Sequence, residues 1–197
     1  MMIDNDKSLI RADYKNIRSS VKQRSEKENI IVEKLETFNV VTDADIVLVY
    51  AACGSEVNID SFIKYLLSSG KTVALPVCLD KTGDMDFYYI DSLDAVEYGM
   101  YGIREPKRNK LYDVRMFDKS VCIVPAVCFD KSGMRIGYGK GYYDRFLERF
   151  NGYTIGVSFE ECVAEKLPHS EYDKKVDYLI TDKNIYNFFS KEENTYG

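Results

Sequence analysis

Histidine occurs only once in this sequence, at position 169. A metal centre built on several imidazoles is therefore excluded. A cysteine–histidine catalytic pair has no support either, because no cysteine stands in a recognisable nucleophile context. The five cysteines, at 53, 78, 122, 128 and 162, are odd in number and form no C-x-x-C pair. Cys78 and Cys122 sit within apolar runs, where a thiol behaves as a small hydrophobe. This usage points to a reducing compartment, the cytoplasm, and not to a disulfide framework. No run of about 18 apolar residues is present, so no membrane span is expected. The polar opening residues lack the apolar stretch of a secretory signal. Proline is scarce and scattered, at 76, 106, 125 and 168, and no Gly/Ser-rich linker divides the chain. The 197 residues therefore read as one domain, 1–197. Nor is there an excess of positive charge. The net charge of -5 argues against duplex nucleic acid as a partner. It leaves room for a small anionic ligand, which needs only a few local cations.

What is present is globular, with 45% hydrophobic and 30% charged residues. From Leu9 to about Arg24, Leu9, Ile10, Tyr14, Ile17 and Val21 recur at helical spacing, opposite a basic face of Lys15, Arg18, Lys22 and Arg24. A second helix is predicted over Glu26–Thr37. The continuous apolar runs Ile46–Ala52, Thr72–Pro76 and Val121–Val127 suit strands buried on both faces, as in a parallel sheet under helices. Between the first two, a helix from Asp60 carries Phe62, Ile63, Leu66 and Leu67 on one stripe and ends at Gly70, giving a βαβ crossover. Asp86–Ile90 reads as an edge strand. Residues 91–119 form a long, weakly patterned stretch of the kind that often binds ligands. A helix is predicted up to about Phe150. Two more strands follow at Tyr153–Phe159 and Tyr178–Thr181, then a short helix at Asn184–Ser190. The fold class is a single-domain α/β architecture with a mostly parallel sheet flanked by helices.

The chemistry concentrates between Phe129 and Leu147. Gly137, Gly139 and Gly141 alternate there, Arg135 and Lys140 flank or interleave them, and a helix then begins. Glycine permits positive φ and close backbone approach to a ligand. Consecutive N–H groups in such a loop make an anion-binding concavity, and a helix N-terminus adds donors and partial positive charge. With two cations the segment suits a nucleotide phosphate. It is not a Walker A loop, since Gly141 follows Lys140, nor the dinucleotide fingerprint, whose last gap is two residues. A loop that merely turns the chain into its helix is the plainer alternative. Asp144, about one turn into that helix, suits either Mg²⁺ coordination beside phosphate or simple stabilisation of the helix start.

The sequence Asp130-x-x-Gly133-x-Arg135-x-Gly137-x-Gly139-Lys140-Gly141-Tyr142-Tyr143-Asp144 resembles the signature of the 5-formyltetrahydrofolate cyclo-ligase family. The likeness extends to Arg18, Ala51–Glu56, Gly70-Lys71, Pro76, Met85, Tyr101–Pro106 and Asp173–Asp177, nearly the whole chain in order. It implies a three-layer α/β/α domain. It also implies the ATP- and Mg²⁺-dependent cyclisation of 5-formyltetrahydrofolate to 5,10-methenyltetrahydrofolate, with release of ADP and phosphate through an N5-imidoyl phosphate. By resemblance, ATP is held by Arg135, Gly137, Tyr138, Gly139, Lys140, Gly141, Tyr142 and Tyr143, with Arg18 and Lys15 reaching it from the first helix. Lys140, Arg135 and Tyr142 act at the reacting groups. Glu56, Ala51, Met85, Tyr101, Tyr138 and Tyr142 line the folate pocket, and Asp144 and Asp173 take Mg²⁺. The partners implied are small molecules, without nucleic acid or membrane. There are departures from the family pattern. Its first-helix lysine, four residues before the arginine, is Tyr14 here. Lys15 lies about 100° round the helix from that place. Asn58-Ile59 replace an acid-then-threonine pair. Tyr172 stands where histidine is common, and Tyr101 where tryptophan often is; tryptophan is absent altogether. Another ATP-dependent ligase or kinase on the same fold, or a non-catalytic folate or nucleotide sensor, are the alternatives. The retained Lys140, Asp144 and Asp173 speak against the sensor.

Overall fold

The computed structural model describes residues 2–108, 110–112 and 119–189. The chain runs α1 (Met2–Ser19), α2 (Arg24–Thr37), the single turn α3 (Asn39–Thr42), β1 (Ile46–Leu48), α4 (Asp60–Ser68), β2 (Thr72–Cys78) and β3 (Met85–Ile90). Next come β4 (Val96–Tyr98), β5 (Arg104–Pro106), β6 (Ser120–Pro125), β7 (Cys128–Asp130) and β8 (Arg135–Ile136). The remainder is α5 (Tyr142–Arg149), β9 (Tyr153–Val157), β10 (Val163–Ala164), β11 (Tyr178–Ile180) and β12 (Ile185–Asn187).

Seven strands form the main sheet in the order β12-β11-β9-β6-β1-β2-β3. The five inner strands are parallel, and both edges, β12 and β3, are antiparallel. The long apolar runs have the expected cause: alternate residues of each inner strand enter different cores. Val47, Val49, Val121 and Ile123 pack with Ile31 and Leu35 of α2 and with Phe62, Ile63 and Leu66 of α4. Ile46, Leu48, Cys122 and Val124 pack on the other side with Phe146, Leu147 and Phe150 of α5. The result is the three-layer α/β/α arrangement. From β1 the chain passes to β2 on one side, while β6, β9 and β11 extend the other, so the strand order switches direction between β1 and β6. Open α/β sheets bind ligands beyond the carboxyl ends of the strands at such a point.

Three expectations need correction. Asn184–Ser190 is not a helix: Ile185–Asn187 pairs antiparallel with β11, and Ser190 lies outside the described residues. In so short a segment the edge of the sheet supplies hydrogen bonds that one helical turn cannot match. The 91–119 stretch contains the two-stranded hairpin β4–β5, with 109 and 113–118 outside the described residues. The first helix begins at Met2 and is turned the other way from the prediction: Leu9 is 69% exposed and Ile17 37%, whereas Arg18 is buried. Lys7, Arg11, Tyr14 and Arg18 follow one another at steps of four, three and four and share one stripe. That largely polar stripe is the inward one. It lies on a small sheet, β10-β7-β8, whose apolar cluster of Cys128, Ile136, Cys162, Ala164 and Leu167 takes in Ile10 and Tyr14.

Candidate functional site

The signature begins with structure. The fully buried Asp130 accepts from the N–H and hydroxyl of Ser132 (2.8 and 2.7 Å), the N–H of Met134 (3.0 Å) and the N–H of Leu167 (2.9 Å). A buried carboxylate is tolerated only when its oxygens are so satisfied. It thereby closes the β7–β8 turn and fixes Arg135 on β8. The Arg135 side chain is 4% exposed and donates Nη2 to Asp144 Oδ1 at 2.7 Å. Among the described residues its Nε has no hydrogen-bond partner, and neither does the buried hydroxyl of Tyr143.

The glycine loop follows. Gly139 (φ 91°) and Gly141 (φ 72°) occupy the left-handed region that favours glycine. Two arginines brace the loop: Arg11 Nε donates to the Gly137 carbonyl at 2.8 Å, and Arg145 Nη2 to the Lys140 carbonyl at 2.6 Å. A Cβ on Gly139 would lie 3.2 Å from Arg11 Nη2, so the bare backbone also makes room for that guanidinium. Gly141 precedes α5, whose first-turn N–H groups have no intrahelical acceptor, as at any helix start. Lys140 is exposed and has no ion-pair or hydrogen-bond partner among the described residues.

These groups open on a cleft of about 780 Å³ at the carboxyl ends of β1, β2 and β6. Its lining includes the cations Lys7, Arg11, Arg135 and Lys140 with Gly137, Tyr138, Gly139, Gly141, Tyr142, Tyr143, Asp144 and Asp173. Ala51, Met85, Tyr101 and Ile103 line it as well, with Glu56 and Glu105. The expected ATP-loop, folate and metal residues thus come together, from segments far apart in sequence. Arg18 and Lys15 do not line the cleft. Arg18 is buried, and Lys15 lies over the Tyr138 ring, 5.1 Å from its centroid. The helix cations that do reach the cleft are Lys7 and Arg11. They have the four-residue lysine–arginine spacing expected around Arg18, seven residues earlier. That spacing was a readable signal. Glu105, also buried at the cleft, had none; its Oε1 accepts the Cys78 N–H at 3.1 Å.

The carboxylates differ in character. Burial raises the pKa of Glu56, against the Cys53 N–H (2.8 Å to Oε2), the Arg18 charge and the Tyr138 hydroxyl, which favour its ionised form. Burial also acts on Asp173, but the Lys7 ammonium (2.5 Å) and the N–H and hydroxyl of Ser170 outweigh it, holding this carboxyl below its ordinary range. Burial and the Glu56 charge push Tyr138 up to about 12. Burial raises Tyr142 too, and its hydroxyl donates to the Asp80 carbonyl at 2.6 Å. Tyr101 lines the cleft from the tip of β4–β5 at φ 61°, its ring edge-on to Tyr142 with centroids 6.4 Å apart. A bidentate pair from Arg104 to Asp60 (2.8 and 2.7 Å) anchors that hairpin on α4.

Residues 3–182 match the model of the 5-formyltetrahydrofolate cyclo-ligase family. The chain is similar to the 5-formyltetrahydrofolate cyclo-ligase of Mus musculus, with 24% identity across 90% of this chain and 94% of that protein. It is similar to the enzyme of the same name from Escherichia coli K12, with 27% identity across 84% and 93%. The solved structure of the Aquifex aeolicus 5,10-methenyltetrahydrofolate synthetase superposes with a TM-score of 0.81 at 28% identity, covering 96% of this chain and 98% of that one.

Proposed function

Because the chain belongs to the 5-formyltetrahydrofolate cyclo-ligase family, we propose that it converts 5-formyltetrahydrofolate and ATP into 5,10-methenyltetrahydrofolate, ADP and phosphate. The observation that carries this reading is the mixed lining of the cleft. A cation-rich glycine loop, apolar side chains and a buried carboxylate share one space of about 780 Å³.

Phosphoryl transfer needs positioning and charge stabilisation more than covalent help from the protein. The loop N–H groups, Lys7, Arg11, Arg135 and Lys140 hold the triphosphate. The unpartnered Arg135 Nε and Tyr143 hydroxyl are donors awaiting an acceptor there. Glu56 receives N–H groups of the reduced pterin, which a carboxylate takes as a parallel pair. Ala51 and Met85 wall the ring, and Tyr101 and Tyr142 cover it. So held, the formyl oxygen attacks the γ-phosphorus, the bond to the β-phosphate oxygen breaks, and ADP leaves. N10 then attacks the imidoyl carbon, the five-membered ring closes with loss of the N10 proton, and phosphate departs with the former formyl oxygen. Lys140 follows the charge on the transferring group.

Asp144 and Asp173 fit Mg²⁺. Both line the cleft, their described partners bind Asp144 through Oδ1 and Asp173 through Oδ2, and each keeps a second oxygen for a cation. Bound there, Mg²⁺ would neutralise triphosphate charge. All five cysteines are free and no helix among the described residues is long and apolar enough to cross a membrane, which supports a cytoplasmic setting. The partners are small molecules only.

The test is an absorbance assay with purified protein, 5-formyltetrahydrofolate, Mg²⁺ and ATP at acidic to neutral pH. The near-ultraviolet band of the methenyl product should appear and should require both ATP and Mg²⁺. ATP binding without product would turn the assignment toward another ligase or a sensor.

A further inference from the structure

We infer that Arg18 is a positioning residue that clamps the pterin-binding carboxylate Glu56 to the phosphate loop. The identity of the ligand rests on the function proposed above; the clamp itself rests on geometry. Arg18 is 4% exposed, on the inward stripe of α1, and has no carboxylate within ion-pair distance among the described residues. A buried guanidinium in that state needs every donor satisfied. Its donors go to three separate segments. Nε donates to Ser55 Oγ at 3.0 Å, Nη1 to the Ala126 carbonyl at 2.7 Å and Nη2 to the Tyr138 hydroxyl at 2.6 Å. Ser55 adjoins Glu56, Ala126 follows β6 at the strand-order switch, and Tyr138 belongs to the glycine loop.

The Tyr138 hydroxyl carries the contact onward. Its oxygen accepts from Arg18, and it stands close enough to Glu56 to favour the ionised carboxylate. A phenol held by a buried guanidinium beside a carboxylate passes the influence of the cation to it. Arg18 therefore sets both the place and the ionisation of the carboxylate that faces the pterin.

The surroundings leave Arg18 as the cation that matters. Glu56 meets Tyr138 from the glycine loop, Tyr50 from the end of β1 and Tyr143 from α5. Burial raises all three phenols, so they stay neutral in the working range. From α2, Arg24 donates to the Glu56 backbone carbonyl at 2.6 Å and is paired with Glu28 at 3.1 Å. Among the described residues the Cys53 N–H, Arg18 and the Tyr138 hydroxyl oppose the burial of the Glu56 charge, and Arg18 holds Tyr138. Loss of Arg18 leaves burial less opposed, so Glu56 protonates at a higher pH.

The experiment is equilibrium binding of 5-formyltetrahydrofolate, and separately of ATP, to wild type, R18K, R18Q and Y138F at pH 6 and pH 8, followed by kcat and KM. A rise in the carboxyl pKa lowers the ionised fraction about tenfold per pH unit on its acid side. R18Q should therefore lose about tenfold in folate affinity at pH 6 and clearly less at pH 8, and R18K, which keeps the charge but not the three-way donor fork, should lose less than R18Q at pH 6. ATP affinity should stay within about threefold, and kcat at saturating folate should be largely kept. Y138F, which keeps the ring and loses the link, should shift in the same direction and decides the matter if an Arg18 variant does not fold. An equal loss of folate affinity at both pH values would reduce Arg18 to general scaffolding. A greater loss of ATP than of folate affinity would assign it to the phosphates. Either result overturns the clamp. Wild type that binds folate without turnover would remove the proposed reaction and leave the clamp to be judged by binding. Wild type that binds no folate would remove both.

Discussion

Lys140→Ala separates the chemistry of the phosphate loop from its architecture. Lys140 is exposed and unpaired among the described residues, so its removal leaves no buried charge without a partner and opens no cavity. The expected change in stability is within about 0.5 kcal/mol, typical of surface substitutions. Arg135 offers no such clean test, because its side chain is 4% exposed and its loss would strip Asp144 of a 2.7 Å partner. A preorganised donor aimed at developing charge contributes about 3–4 kcal/mol to the transition state. At about 1.36 kcal/mol per decade that is a loss of roughly 10²–10³ in kcat. Charge on the transferring group grows towards the transition state, so kcat should fall by more than the KM for ATP rises. The assay is methenyl product absorbance across ATP concentrations, beside a thermal melt of the same preparation. Turnover within about fivefold of wild type, with an unchanged melt, would refute the reasoning. The loop would then draw its working charge from Lys7 and Arg11.

On α1, Arg11→Ala should raise the KM for ATP by tenfold or more, whereas Lys15→Ala should change it by less than about threefold; steady-state kinetics on the pair checks the direction in which the helix faces. Glu56→Gln should weaken folate binding far more than ATP binding. In wild type, burial holds the Glu56 pKa above the usual carboxylate value. Folate affinity should therefore be full at higher pH and fall, as pH drops through that raised value, before an ordinary carboxylate would protonate; isothermal titration against pH reads both effects. Gly156→Ala tests the core instead. Its Cβ would lie 2.5 and 2.7 Å from ring atoms of the fully buried Phe129. Such overpacking costs about 1–3 kcal/mol. The melt should fall by roughly 2–10 °C for a chain of this length.

The inner strands of the main sheet could be read from the sequence because burial on two faces leaves an unbroken apolar run, as at Ile46–Leu48 and from Val121 to Pro125. The orientation of α1 could not. Periodicity assumes that the apolar stripe turns inward, and here a stripe of two arginines, a lysine and a tyrosine does so, because the Gly137 and Ala126 carbonyls and the Asp173 carboxylate await it. Strands of two residues, such as β8 and β10, are too short to show alternation; β8 exists through a local hairpin with β7 and β10 through a pairing with β7 distant in sequence. The glycine loop was legible because its chemistry is local. Glu105 is an ordinary charged residue until the fold brings it to the cleft, whereas Lys7 and Arg11 carried a readable lysine–arginine spacing seven residues before the place where it was expected.

The pairing of Lys7 with Asp173 spans 166 positions, and this has a bearing on how the protein is made. At about 5–20 residues per second, the first helix waits roughly ten to thirty seconds on the ribosome before its ionic partner is translated. The parallel strands β1 and β2 and their crossover helix are complete long before then. The hydrophobic layers can thus assemble during synthesis while the cations of α1 remain in water. Catalytic competence then arrives with the last quarter of the chain, as a late docking step on a scaffold already folded.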